Sequence, residues 1–228
     1  MSYSSPPSTV TPVQQEYLAE TYRMLHYSPE TPYITTSALA ERMGVSAPAV
    51  AAIVDRLKDN KLVDHEPYKG IRLTKRGEHE ALMNIRRHRL VEVFLVKVMK
   101  FGWHEVHDEA DALGTVITDK IATRMEAMAD YPTRCPHGEP IPTAEGVMPH
   151  IDDAPLGMVE APAELEVSRV NSHDPDILKY LTTLKLTPGQ AITLVSCAPF
   201  HGPLRLRIDG YEQVIGYELA QKIRVSRR

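Results

Sequence analysis

The stretch Thr35-Thr36-Ser37-Ala38-Leu39-Ala40-Glu41-Arg42-Met43-Gly44-Val45-Ser46-Ala47-Pro48-Ala49-Val50 contains two helix starts and one helix stop. The hydroxyl run 35–37 supplies an N-cap ahead of Leu39, Ala40 and Met43, and Gly44 is the residue type that ends a helix in the left-handed conformation. Ser46 then caps the next helix, and Pro48 sits in its first turn, where a missing N–H costs nothing. Val50, Ile53, Val54 and Leu57 recur at helical spacing and form its buried stripe. Two short helices joined by a tight glycine turn make a helix-turn-helix.

Toward the N-terminus, the Ser/Pro/Thr-rich residues 1–12 read as a flexible tail, with Pro12 placed to open a helix. Tyr17, Leu18, Tyr22 and Leu25 carry that helix over 13–27, and Ser28-Pro29 stops it. Toward the C-terminus, 62–66 and 71–74 alternate as two strands around the turn Pro67-Tyr68-Lys69-Gly70. A hairpin directly behind a helix-turn-helix is a wing. Thr74 then caps a long helix from Lys75 to about Met99. After Gly102 a further helix is expected to carry Val106, Ala110, Leu113, Val116, Ile117, Ile121 and Met125. Apolar stripes on two such helices imply that a second copy of the chain covers them. Residues 131–142 are irregular and 143–164 read as a Pro/Gly-rich linker; four strands and a helix over 174–183 follow, a small β-rich barrel.

Composition sets the outer limits. At ~150 residues per domain, 228 residues make one and a half to two domains. The chain is 43% hydrophobic and 25% charged, and its longest apolar stretch is broken by Glu92 and Lys97, which argues against a membrane protein. No basic segment followed by an apolar run opens the chain, so a cytoplasmic location is expected. Two distant cysteines, Cys135 and Cys197, make neither a disulfide framework nor a zinc knuckle, and both read as small buried residues. Neither a glycine-rich phosphate loop nor a GxSxG or HExxH motif is present, which argues against an enzyme.

The net charge of −4 hides a basic stretch: Lys69, Arg72, Lys75, Arg76, Arg86, Arg87 and Arg89 lie close together, interrupted by Glu78 and Glu80. In a winged helix-turn-helix the second helix reads DNA. Its first turn offers Ser46, Ala47, Pro48 and Ala49, small residues that allow close approach, with Ala52 and Arg56 farther along. Arg56, Lys69, Arg72 and the hydroxyls of Thr36 and Ser37 are placed to hold phosphates, which fix register without reading sequence. The competing reading is a helix-turn-helix used only for protein contacts.

His88 and Glu92 share one face of the long helix, and His107 opens the next. Imidazole and carboxylate at i, i+4 with a second imidazole from a packed neighbour suit a first-row divalent ion. Taken alone, such a trio is more often a solvated helix face.

The order of motifs adds a resemblance. His-Arg-Leu-Val-Glu (88–92), Val-His-Asp-Glu-Ala (106–110) and Cys-Pro-His-Gly-Glu-Pro-Ile-Pro (135–142), behind a winged helix-turn-helix and ahead of a β-domain, resemble the diphtheria toxin repressor family of iron- and manganese-dependent regulators. The resemblance implies a mainly α chain with β: a winged helix-turn-helix over 13–74, a helical dimerisation and metal-binding domain over 75–142, and an SH3-like, FeoA-like barrel over 165–228. It implies a homodimeric repressor of metal-homeostasis genes that binds palindromic operators when loaded with Mn(II) or Fe(II). His88, Glu92 and His107 match the family's ancillary metal ligands. Glu16 and Asp111 match the first two positions of its primary site, but Gly114 and Thr115 stand where Glu and His belong. Arg169 and Ser172 fall near the ancillary ligands expected from the β-domain, with His173 as a substitute. The departure leaves an alternative, a DNA-binding regulator of the same fold that has lost standard metal activation. Oxygen and nitrogen ligands without Cys lean toward manganese.

Overall fold

The computed structural model describes residues 10–27, 31–66, 68–114 and 116–228. Ser28-Pro29, Pro67, Thr115 and residues 1–9 of the expected tail lie outside the described residues. The chain forms two compact units: one gathers residues up to His88 with Leu113–Thr118 and Pro142–Met148, the other Arg89–Ala112, Asp119–Ile141 and Pro149–Arg228.

The first unit opens with α1 (Pro12–Tyr27), α2 (Thr36–Met43) and α3 (Ala47–Asp59). Thr35 Oγ1 accepts from the Ala38 amide at 3.0 Å, and Gly44 closes α2 at φ 64°. α2 and α3 are bent by 110° at the break between them, within the range of a helix-turn-helix. Ser46 occupies the N-cap position of α3 but makes no side-chain cap bond, so Pro48 alone marks that start. β1 (Val63–Glu66) and β2 (Gly70–Leu73) pair antiparallel from Val63 opposite Leu73 to Glu66 opposite Gly70. Ile34 adds a bridge to Ile71 through two backbone hydrogen bonds of 2.9 and 2.8 Å. Leu18, Leu39, Val50, Val54, Leu57, Leu62 and Ile71 fill the core beneath.

Thr74 caps α4 (Lys75–Lys97), its Oγ1 accepting from the Gly77 amide at 3.1 Å. The expected single helix after Gly102 is two helices, α5 (Val106–Gly114) and α6 (Asp119–Met128). The sequence explains the break: Gly114 is followed by Thr115-Val116-Ile117-Thr118, a β-branched run whose side chains lose rotamer freedom in a helix.

In the second unit, β3 (Ala154–Pro155), β4 (Ala163–Val170), β5 (Ala191–Cys197), β6 (Leu204–Ile208), β7 (Tyr211–Ile215) and β8 (Ile223–Arg227) form one antiparallel sheet in the order β3-β8-β4-β5-β6-β7. Two helices accompany it, α7 (Pro175–Thr183), capped by Asp174, and α8 (Tyr217–Lys222). The fourth strand expected from the sequence ends at Ile215, because Gly216 starts α8; α8 and β8 escaped the sequence reading. Alternating inward residues Leu165, Val167, Ile192, Leu194, Leu204, Leu206 and Ile208 build the core of this sheet with Leu178 and Leu181 of α7.

Candidate metal centre and nucleic-acid interface

α4 is one unbroken helix, so His88 and Glu92 stand one turn apart on the same face. Both are buried, and within the second unit α5 presents His107 to Glu92, while His88 is the last residue of the first unit. Glu92 Oε1 lies 3.7 Å from His107 Nδ1, while His107 Nε2 lies 3.6 Å from Asp111 on the same helix. Glu16 is on the exposed face of α1, in the first unit, and Asp111 belongs to the second. At Gly114, which ends α5, an added Cβ would sit 3.4 Å from the His88 Cα.

His137 is the residue that sequence reasoning missed. It is fully buried, and its Nδ1 lies 3.3 Å from Glu92 Oε1. Its Nε2 is 2.9 Å from the Trp103 carbonyl oxygen, which can only accept, so Nε2 carries the hydrogen. The Cys-Pro-His-Gly turn is fixed to β4 where the Val170 amide donates to the His137 carbonyl at 2.8 Å. Gly138 permits that approach: at φ 87° it lies against the Ser168 carbonyl, where a Cβ would fall 2.2 Å from the oxygen. His173, just beyond β4, stacks on His107 with ring centroids 3.8 Å apart. Glu92, His137 and His173 thereby form a second group of close ligand atoms. The one signal for His137 was its place in a motif quoted for resemblance, in a segment without helical or strand periodicity.

Arg169 is buried in ion pairs with Glu139 at 3.1 Å and Asp153 at 2.8 Å, and Ser172 is buried near it in sequence. Arg169 thus neutralises carboxylates, the opposite of a ligand's task. Burial raises the Asp153 pKa, but hydrogen bonds from Arg169, Arg224 and Ser168 outweigh it and hold the carboxyl below its usual value. Cys135 is buried as expected, and burial first, then the Glu92 charge, pushes its thiol pKa well up. Cys197, also expected inside, is exposed at the end of β5.

On the winged helix-turn-helix, Ser37, Ser46, Ala47, Pro48, Ala49, Ala52 and Arg56 are exposed and Thr36 is half-buried. Lys69 and Arg72 are exposed on the wing, each already engaged: Lys69 with Glu66 at 2.7 Å, Arg72 with Asp64 at 3.0 Å. Tyr33, unforeseen from the sequence, donates to Glu66, and both cations lie within 6 Å of its ring, at 5.8 and 5.7 Å. The basic stretch divides at this point. Arg86 donates to the Pro142 carbonyl, Arg87 to Gln15, and buried Arg89 to Pro140 and Glu139, so these three serve packing. Lys75 and Arg76 remain exposed.

Three family models match successive parts of the chain. They are described as "Iron dependent repressor, N-terminal DNA binding domain" over 9–71, "Iron dependent repressor, metal binding and dimerisation domain" over 74–143, and "FeoA domain" over 154–227. The iron-dependent repressor IdeR of Mycobacterium tuberculosis is 31% identical over 202 residues, covering 83% of this chain and 87% of that protein. The chain belongs to the diphtheria toxin repressor family. The diphtheria toxin repressor of Corynebacterium efficiens is 36% identical over 104 residues, 46% of this chain and 45% of its own length. Among solved structures, a manganese-dependent transcriptional repressor in complex with manganese is 32% identical and covers 94% of this chain and 100% of its own, with TM-score 0.86. ScaR with bound zinc is 30% identical over 94% of this chain and 99% of its own, with TM-score 0.77. The diphtheria toxin repressor family is one of transcriptional repressors, not enzymes. Its three-part architecture, winged helix-turn-helix, helical dimerisation domain and FeoA domain, is the one this chain adopts. Among the described residues no single helix is long and apolar enough to cross a membrane.

Proposed function

We propose that this chain is a homodimeric, cytoplasmic repressor of metal-homeostasis genes that binds palindromic operators under control of Mn(II) or Fe(II), with His88, Glu92 and His107 as metal ligands. The observation that carries this reading is the approach of buried Glu92 on α4 to within 3.7 Å of His107 on α5, with buried His88 one turn before Glu92 on the same helix face. Two imidazoles and a carboxylate fit a first-row divalent ion, and a buried carboxylate among histidines suits a cation. When bound, the ion supplies a cross-link between α4 and α5. Manganese bound to a relative with TM-score 0.86 supports the metal class. Glu16, Asp111 and His173 are further candidate ligands beyond this trio.

The DNA-facing role falls to α3 and the wing. Ser46, Ala47, Pro48, Ala49 and Ala52 give α3 a small, exposed face toward the major groove, while Thr36, Ser37, Arg56, Lys69 and Arg72 hold phosphates. Metal and operator then raise each other's affinity reciprocally. Fluorescence anisotropy on promoter fragments of metal-uptake genes tests this, with chelator and then Mn(II) or Fe(II). Binding that needs metal in the parent and is weakened in His88→Ala, with the dimer intact, supports the reading. Equal binding with chelator and with metal overturns it and selects the alternative, a regulator of this fold released from metal control, which Gly114 and Thr115 favour.

A further inference from the structure

We infer that the first unit carries a site for a small zwitterion, an α-amino acid with an apolar side chain, in the cavity that α1, β2 and the first turn of α4 enclose with the stretch 31–32. The cavity holds about 310 Å³, at the lower end of the ~300–1,000 Å³ of small-molecule sites, and every residue lining it belongs to that unit. None of them is among the metal ligands proposed above.

The chemistry of the lining selects the ligand. Arg72 reaches the cavity from β2 and Glu78 from the first turn of α4, so both signs of charge line one small space. Arg72 spends Nε and Nη2 on a single oxygen of Asp64, at 3.1 and 3.0 Å, and its guanidinium keeps donors for a second carboxylate. Glu78 is exposed and, among the described residues, in no ion pair. A simple anion meets Arg72 but is repelled by Glu78, and a simple cation meets the reverse. A molecule with both a carboxylate and an ammonium satisfies the two together. Leu25, Pro32 and Leu73 add an apolar wall, closed by the ring of Tyr22. Carboxylate, ammonium and apolar side chain on one carbon are the parts of such an amino acid.

The walls are set before any ligand arrives. Tyr22 is buried, its ring stacks on His26 with centroids 5.4 Å apart and planes at 16°, and its hydroxyl lies 3.4 Å from His26 Nδ1. The stretch through Thr31 and Pro32 runs into Ile34, which two backbone hydrogen bonds tie to Ile71, directly before Arg72. Glu78 is held at its backbone, where its amide donates to the Thr74 carbonyl at 2.8 Å. A site already shaped loses less to ordering, which lets a molecule of few atoms bind.

Isothermal titration calorimetry of the full-length protein tests the site with L-leucine, with isocaproate, which is leucine without its ammonium, and with isoamylamine, which is leucine without its carboxylate. No DNA is present, so failure here is distinct from failure of the operator reading. The parent is expected to bind one leucine per chain saturably, and each truncated analogue about tenfold more weakly or worse. Glu78→Gln, at an exposed position, should lose about tenfold for leucine while binding isocaproate no less well than the parent, a split that a merely structural change would not produce. Thr31→Trp, also exposed, fills the cavity and should abolish binding of all three. No saturable heat with leucine up to about 10 mM overturns the site. Leucine binding that both variants leave unchanged also overturns it, because the amino acid then sits elsewhere. Isocaproate bound as tightly as leucine by the parent overturns the zwitterion, since Glu78 then contributes nothing.

Discussion

Arg169 holds two buried carboxylates at once: its Nε lies 2.8 Å from Asp153 Oδ2 and its Nη1 3.1 Å from Glu139 Oε2. Arg224 adds a contact of 2.6 Å to Asp153, and Arg89 one of 3.3 Å to Glu139, closing a network of three arginines and two acids. Removing the shared cation leaves two carboxylates buried without it. Arg169→Met should therefore cost about 3–5 kcal/mol, read as a lower urea midpoint at pH 7. A change under 1 kcal/mol would show that Arg89 and Arg224 suffice.

The same network sets an acid limit. The folded-state pKa of Asp153 is lowered, so its contribution to stability is fully present above the unfolded value, about 3.9, and is lost as pH falls through the folded value. Asp153→Asn should be less stable at neutral pH and show a shallower loss of stability below about pH 4. Parallel acid limbs in parent and variant would assign that loss to other groups.

Two helical glycines are expected to respond oppositely to alanine. Intrinsic propensity favours alanine over glycine by about 1 kcal/mol at either site. At Gly77, in the first turn of α4, a Cβ would fall 1.8 Å from the Leu62 carbonyl oxygen, a backbone atom that cannot swing aside. Gly77→Ala should lower stability by about 1–3 kcal/mol net. Gly114→Ala meets only ordinary contact at 3.4 Å and should be neutral or stabilising. Thermal melts of both variants check the pair, and stabilisation by Gly77→Ala would contradict the close packing of α4 on the β1 entry.

In the proposed DNA complex, Glu66 and Asp64 would compete with DNA for Lys69 and Arg72, with which they are paired at 2.7 and 3.0 Å. Asp64→Asn should tighten binding to every duplex, operator or not, while Lys69→Ala and Arg56→Ala should each lower the salt-dependence slope by about one. An effect confined to one operator base would make Lys69 or Arg56 a base reader.

The two thiols should separate cleanly under native conditions. Cys197 is exposed and Cys135 buried with a strongly raised pKa, so a maleimide should label Cys197 and reach Cys135 only on unfolding. Fast labelling of both would show that the turn holding His137 opens readily.

The helix-turn-helix, wing and long helix were legible because each boundary carries its own chemical mark: the Thr35 cap, Gly44, Pro48 and Thr74. The split between α5 and α6 was less legible, since Val116, Ile117 and Ile121 keep a helical spacing across a run that resists helix. α8 is only six residues long, and 212–218 alternates well enough to pass for a strand. His88, Glu92 and His107 could be found because two share a helix face. His137 could not, since a proline-rich turn has no period from which to infer its neighbours. Arg86, Arg87 and Arg89 looked like a DNA-binding run because sequence shows charge without showing which carbonyl or carboxylate it meets.

The bridge between Ile34 and Ile71 makes the wing and the entry to α2 a single mechanical part. Tilting the hairpin drags Thr35, and with it the first turn of α2, unless both backbone hydrogen bonds break. The wing's lean along the groove and the seating of the helix pair are thus one adjustable quantity. In the proposed DNA complex such a gripper would tolerate little variation in local duplex width, and would discriminate among sites by their shape as well as by the bases it touches. Amide exchange at Ile34 and Ile71 should slow and quicken together, and independent rates at the two would separate the parts.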